Sequence, residues 1–94
     1  MVSNMAQHVR VDIPCDVQQI DQTGHPWAFL DEARDPSRIV QGAIVVSGDD
    51  EDPVVARVVS LTSRPGGVVV HLEVLPGEPA EYVEALTRAR LLSA

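Results

Sequence analysis

The stretch "IVQGAIVVSGDDEDPVVARVVSLTSRPGGVVVHLEVL", residues 39–75, contains most of the information about the fold, because it holds three valine-rich runs separated by two short polar connections. Valine is stiff at its first side-chain torsion and fits a pleated strand better than a helix. The connections "GDDEDP" (48–53) and "TSRPGG" (62–67) are too short for a crossover. Both are therefore predicted to be antiparallel hairpins, which together form a three-strand meander.

Alternation along the three runs predicts which residues share a face of the meander. If both hairpins pair even-numbered with even-numbered residues, burial is expected to enforce that register, since a one-residue slip would mix the two faces. The apolar face would then hold Ile44, Val46, Val54, Ala56, Val58, Val70, Leu72 and Val74. The other face would hold Val45, Arg57, Val59, His71 and Glu73. Arg57 would lie opposite or diagonal to Glu73, a favourable cross-strand pair.

Four shorter patterns flank the meander. "HVRVDI" (8–13) alternates with a period of two, and "WAFL" (27–30) is a short apolar run, so each is predicted to be a strand. Asp35 precedes Pro36, an order that caps a single helical turn. "PAEYVEALTRARLL" (79–92) has an apolar stripe at helical spacing. This helix is expected to cover an open face or end of the sheet.

The part "IVQGAIVVSGDDEDPVVARVVSL" (39–61) resembles an SH3-like small barrel, in which a glycine before the first long strand is followed by an acidic turn and a second long strand. The resemblance extends over residues 39–75, includes no signature side chain, and implies a fold rather than a function. We expect one domain, residues 1–94, of the mainly β (α+β) class: a small antiparallel SH3-like barrel or curved sheet with a three-strand meander and a C-terminal helix.

Composition excludes several classes of function. The net charge of -7 argues against binding to nucleic acid or to an anionic membrane, which both select clustered positive charge. No segment matches a signal peptide or a membrane helix of about 20 apolar residues, so a cytoplasmic location is expected. Cys15 has no cysteine partner, and Asp16 beside it disfavours a thiolate. We therefore expect no disulfide and no catalytic residue.

The acidic tip, Asp49, Asp50, Glu51 and Asp52, joins two valine runs. Its spacing lacks the alternating ligands of a calcium loop, and no histidine has metal-ligand spacing, so neither a metal nor another cofactor is expected. Adjacent acids between short strands are typical of a solvated turn that guards valine strands against aggregation. The alternative is a loop that binds a basic protein partner.

The candidate binding residues are His25, Trp27, Asp31, Arg57 and His71. Trp27 and Phe29 are two of the three aromatic residues, so the core competes for them with a peptide-binding groove. We expect a non-catalytic protein-interaction module that can self-associate as a homodimer through Val45, Val55, Val59 and Val69. The alternative is a small-ligand-binding or enzymatic domain with a cleft near His25, Trp27 and His71.

Overall fold

The computed structural model describes residues 10–84, and its main feature is a curled antiparallel sheet shaped like half a barrel. The strands are β1 (Trp27–Phe29), β2 (Ile44–Gly48), β3 (Pro53–Arg64) and β4 (Gly67–Leu75), in the spatial order β1-β4-β3-β2. Two 3-10 turns, Leu30–Glu32 and Pro36–Arg38, connect β1 to β2. A helix begins at residue 79 and includes residues 79–84, α1 here. The predicted mainly β class, the meander and a C-terminal helix are confirmed, and residues 85–92 of the helix predicted over 79–92 lie outside the described residues.

Short-range sequence signals account for several of these boundaries. Asp35 accepts a hydrogen bond from the backbone N–H of Ser37 at 3.2 Å, and Pro36 follows it as the first residue of the second 3-10 turn, as predicted. Pro65 and Gly66 form a two-residue loop between β3 and β4, with Arg64 paired to Gly67. None of the helical residues in 10–84 belongs to a helix that is long and apolar enough to cross a membrane.

The predicted register of the first hairpin is wrong by one residue. Gly48 pairs with Pro53 across a loop of four residues, so even-numbered positions of β2 pair with odd-numbered positions of β3. Val45 therefore pairs with Ala56 and faces the core, whereas Val46 pairs with Val55 on the opposite face. The physical reason is loop parity: an even number of loop residues always pairs positions of opposite parity.

A β-bulge in β3 changes the parity of the second hairpin. Between the bulge and the turn, residues of opposite parity pair, as in Leu61 with Val70. On the N-terminal side of Val59, residues of like parity pair, as in Val58 with Leu72. The predicted even-numbered pairing therefore holds only for the part of β3 before the bulge. A bulge adds one residue to one strand and increases the local twist, which contributes to the curl of this sheet.

The core lies on the concave face and includes residues from irregular segments as well as strands. Its buried members are Ile13, Ala28, Ala33, Ile39, Val45, Ala56, Val58, Val70 and Leu72. Residues 10–13, the described part of the predicted strand at 8–13, form no strand. Ile13 is nevertheless fully buried, so its side chain packs in the core although the segment forms no strand. At the far end of the sheet Val74, expected in the core face, is 43% exposed.

The free edge of β2 is covered by the segment that precedes the sheet in the chain. The backbone N–H of Asp12 donates to Val46 O at 2.8 Å, and the Asp12 carboxylate accepts from Val46 N–H at 2.8 Å. Cys15 N–H donates to Gly48 O at 2.9 Å. These contacts use edge groups that would otherwise be free to pair with another chain. The hydroxyl of Tyr82 in α1 donates to Ile44 O at 3.3 Å, which places α1 beside β2.

Candidate functional site

An aromatic cleft with a volume of about 320 Å³ lies on the convex face, at the β1–β4 side of the sheet. Its lining residues are Asp21, Trp27, Phe29, Arg64, Gly66, Val69 and His71. The register brings them together, because Trp27 pairs with His71 and Phe29 pairs with Val69. The β3–β4 turn adds Arg64 and Gly66 at one end, and the cleft is open to solvent. Its volume is at the lower end of the range for ligand pockets, about 300–1,000 Å³.

The two rings of β1 form the apolar wall of the cleft. Trp27 and Phe29 are two positions apart in a strand and so share a face, while Ala28 between them enters the core. The rings meet edge to face, with centroids 5.5 Å apart and an interplanar angle of 90°. A Cβ atom on Gly66 would lie 3.7 Å from the Phe29 ring, so this ring lies against the turn. Both aromatic residues are only half-buried, so the groove alternative for these rings agrees with the geometry better than core packing does.

Asp21 organises the polar side of the cleft through a hydrogen-bonded network. One carboxylate oxygen, Oδ1, accepts from the backbone N–H and the hydroxyl of Thr23, at 2.8 and 2.6 Å, and from the backbone N–H of His25 at 3.0 Å. The other, Oδ2, lies 2.6 Å from Nδ1 of His71, across 50 residues of sequence. His71 Nε2 in turn lies 3.1 Å from the hydroxyl oxygen of Thr62. The Asp21 network therefore ties the loop before β1 to both β4 and β3.

The ionised carboxylate of Asp21 determines which nitrogen of His71 carries the proton that faces it. Hydrogen bonds from the Thr23 hydroxyl and from the His25 backbone N–H hold the pKa of Asp21 well below its ordinary value. An ionised Asp21 only accepts, so His71 must carry its proton on Nδ1 and donate it to the carboxylate. His71 Nε2 then either accepts from Thr62 or donates to it, since a hydroxyl can do both. The network is thus satisfied whether His71 is neutral or charged.

The candidate binding residues named from the sequence divide into two groups. Trp27 and His71 line the aromatic cleft, but His25, Asp31 and Arg57 do not. The His25 ring points into the loop, where Nδ1 lies 2.7 Å from Thr23 Oγ1, and Asp31 is an exposed residue of the first 3-10 turn. Arg57 is paired with Glu73 directly across the strands, with Arg57 Nη2 and Glu73 Oε1 2.8 Å apart, so the predicted cross-strand pair is confirmed.

Asp21 and Arg64 line the cleft but are absent from the candidates named from the sequence, whereas Phe29 was expected in the core or in a groove and Val69 on a self-association surface. The stretch "DQTGH" (21–25) gives a local signal for Asp21, because an Asp two residues before a Thr and three before a Gly favours a side-chain-closed turn. That signal predicts the bond from Thr23 but not the contact with His71. No local signal places Arg64 near an aromatic ring.

The acidic tip is ordered by its own first residue. Asp49 Oδ1 accepts from the backbone N–H groups of Glu51 and Asp52, at 2.9 and 2.7 Å. Asp50, Glu51 and Asp52 have exposed side chains. In residues 10–84, the histidine, cysteine, aspartate and glutamate side chains form no group that could hold a metal ion. The tip therefore has the internal bonding of a turn, and its binding to a basic partner stays a prediction.

The valines that suggested a self-association surface are not exposed in the monomer. Val45, Val55 and Val69 are 4%, 5% and 8% exposed, and Val59 is half-buried at the bulge. Burial of these valines removes the reason for expecting self-association through them, and self-association stays a prediction.

Comparisons with protein-family models, with curated proteins and with solved structures found no match to this chain.

Proposed function

We propose that this protein is a non-catalytic protein-interaction domain whose aromatic cleft receives an apolar side chain from a partner. The observation that carries the proposal is the position of Trp27 and Phe29 on the convex face, half-exposed, in a chain with only one further aromatic residue. Apolar rings left at the surface beside polar groups are typical of binding sites. Aromatic residues are also the side chains that most often carry interface energy.

The openness of the cleft favours a side chain of a protein partner over a free small molecule. Small ligands are usually enclosed over most of their surface, about 70–90% of it. This cleft is open to solvent, so an occupant keeps one side in water. A side chain that projects from a folded or extended partner satisfies that geometry, because its own backbone occupies the open side.

The polar side of the cleft supports orientation of a ligand rather than catalysis. Asp21, His71 and Thr62 follow the acid, imidazole and hydroxyl order of nucleophilic triads. However, Thr62 lies within β3, paired with Val69 in the strand ladder. Nucleophilic hydroxyls act beside backbone N–H donors that are free to bind an oxyanion, whereas strand N–H groups are used by the ladder. We therefore propose that the Asp21 network maintains the shape of the cleft.

A displayed peptide library tests the proposed function. Peptides selected on the full chain are expected to bind about 30-fold more weakly to Trp27→Leu and Phe29→Leu, since truncating an aromatic anchor costs roughly 2 kcal/mol or more. Leucine keeps an apolar residue on β1, and circular dichroism checks that each variant folds. Tyr82→Leu, which removes a ring outside the cleft, is the matched control and is expected to bind normally. Selected peptides that bind both cleft variants as well as the wild type would refute the proposal.

A small-ligand-binding domain is the second candidate, favoured by the cleft volume of about 320 Å³ and by the polar groups of His71 and Arg64 at its rim. Fragment screening by NMR on the full chain tests it. Binding of fragments with shifts centred on the Trp27 indole N–H would support this candidate. Shifts spread over unrelated surfaces would count against it.

A further inference from the structure

The polar groups at the rim of the aromatic cleft differ in whether they already have partners. The Asp21 carboxylate accepts hydrogen bonds from Thr23, His25 and His71, so both of its oxygens are used within the protein. Arg64, by contrast, has an exposed side chain and takes part in none of the ion pairs among residues 10–84. The group left available to a ligand at this rim is therefore a cation.

The identity of that cation favours a carboxylate as its partner. A guanidinium presents planar donors that match the two oxygens of a carboxylate and bind them with charge-assisted hydrogen bonds. Arg34 and Arg57 already have such partners, in Asp12 and Glu73. Arg64 instead lies at the end of the cleft whose wall is Phe29.

The acidic tip does not cancel the charge of Arg64. The acidic tip adjoins Pro53 at one end of β3, and Arg64 is at the other end of this strand of 12 residues. A rise of about 3.3 Å per residue separates the two ends by on the order of 30 Å. This separation exceeds the Debye length of about 8 Å at physiological ionic strength, so the acidic tip is screened from the cleft.

Resting on the proposed function, we propose that the aromatic cleft selects an acidic segment of a protein partner. An apolar side chain of the segment packs against Trp27, Phe29 and Val69. The carboxylate of a neighbouring Asp or Glu in the same segment binds the guanidinium of Arg64. In this proposal the carboxylate comes from a side chain rather than from a chain terminus, because a cleft that is open to solvent does not enclose the end of a chain.

Fluorescence of Trp27 tests this selectivity, because the chain contains one tryptophan and it lines the cleft. The probes are capped pentapeptides of the order Gly-Glu-Leu-Glu-Gly, Gly-Gln-Leu-Gln-Gly and Gly-Lys-Leu-Lys-Gly. The Glu peptide is expected to bind about fivefold more tightly than the Gln peptide, as for one exposed ion pair of up to about 1 kcal/mol. The Lys peptide is expected to bind most weakly.

Variants of arginine assign the preference to one residue. In Arg64→Gln the affinities for the Glu and Gln peptides are expected to become equal, and in Arg64→Lys part of the preference is expected to return. Arg38→Gln removes the same charge from an exposed turn outside the cleft and is expected to leave the preference unchanged.

The outcomes separate the two proposals. If all the peptides change Trp27 fluorescence but with equal affinity, or if the preference persists in Arg64→Gln, the acidic partner is overturned while the binding domain stands. A Gln peptide with a free carboxyl terminus that binds more tightly than the capped Glu peptide would overturn the side-chain source. If no peptide changes the fluorescence at millimolar concentration, this selectivity is overturned, and the library selection decides the proposed function independently.

Discussion

Replacing Gly48 with alanine is expected to destabilise the protein more than the same change at Gly42. Both glycines have positive φ, +79° at Gly48 and +89° at Gly42. A residue with a Cβ atom is destabilised by roughly 1–2 kcal/mol in this left-handed region. The two sites therefore share one source of strain.

The sites differ in the space around the new methyl group. A Cβ atom on Gly42 would have no heavy atom within 4 Å, whereas on Gly48 it would lie 2.7 Å from the backbone O of Asp52. That oxygen belongs to the tight turn of the acidic tip and is fixed by the backbone, so the turn itself must move. Forced backbone shifts of this kind cost about 1–3 kcal/mol.

The expected loss in the free energy of unfolding is thus about 1–2 kcal/mol for Gly42→Ala and about 2–5 kcal/mol for Gly48→Ala. Alanine also reduces the entropy of the unfolded chain, but it does so equally in both variants, so this contribution cancels in the difference. A domain of this length has a total stability of roughly 5–14 kcal/mol, so the larger loss is a substantial fraction of it.

Equilibrium unfolding in urea, followed by circular dichroism and by Trp27 fluorescence, measures both variants. The difference between them is expected to be at least about 1 kcal/mol. Equal destabilisation of Gly48→Ala and Gly42→Ala would refute the reasoning, because it would mean that the turn accommodates the methyl group without cost. Unfolding of Gly48→Ala at lower urea concentration than Gly42→Ala supports it.

Three further predictions concern the polar groups. Hydrogen bonds from Thr23 and His25 lower the pKa of Asp21 below its ordinary value of 3.8 in the folded state, so its contribution to stability is present above about pH 4 and is lost as the pH falls through the lower folded-state pKa. Acid unfolding of Asp21→Asn is expected to lack this loss, and an acid profile equal to that of the wild type would contradict the prediction. Thr62→Val is expected to cost about 0.5–1.5 kcal/mol in urea unfolding by removing the hydroxyl beside His71, and a neutral effect would argue against that contact. Arg57→Gln is expected to change stability by less than about 1 kcal/mol, since Arg57 and Glu73 are 44% and 43% exposed, and the change is expected to disappear in high salt.

Local sequence patterns were enough to locate the three strands of the meander and to predict that both connections between them are hairpins. The valine runs lie within β2, β3 and β4. The hairpin loops, residues 49–52 and 65–66, lie within the polar connections, but residues 62–64 of the second connection extend β3 and Gly67 begins β4. These are local properties: side-chain stiffness, turn propensity and the lack of room for a crossover are all contained within a few residues. The predicted pairing of Arg57 with Glu73 is confirmed, but it depends on the bulge, which restores the pairing of like parity in this part of β3.

The faces of the strands were decided by tertiary structure. Register depends on which loop residues remain unpaired and on where a bulge forms, here at Val59. A run of valines has the same residue on both faces, so its pattern predicts neither of these. Both faces of β2 are buried, so Val45 and Val46 give no sign of which one enters the core. "WAFL" is apolar throughout, so its period does not reveal that Ala28 faces inward and the two rings outward.

The cleft also depends on contacts that are distant in sequence. Asp21 meets His71 across 50 residues, and Arg64 reaches the rings of β1 only because β4 lies between β1 and β3. A local pattern can predict that Asp21 closes a turn, since the donors from Thr23 are two residues away. Its second oxygen is positioned by the strand order, which results from burial of the whole concave face rather than from any single stretch of the chain.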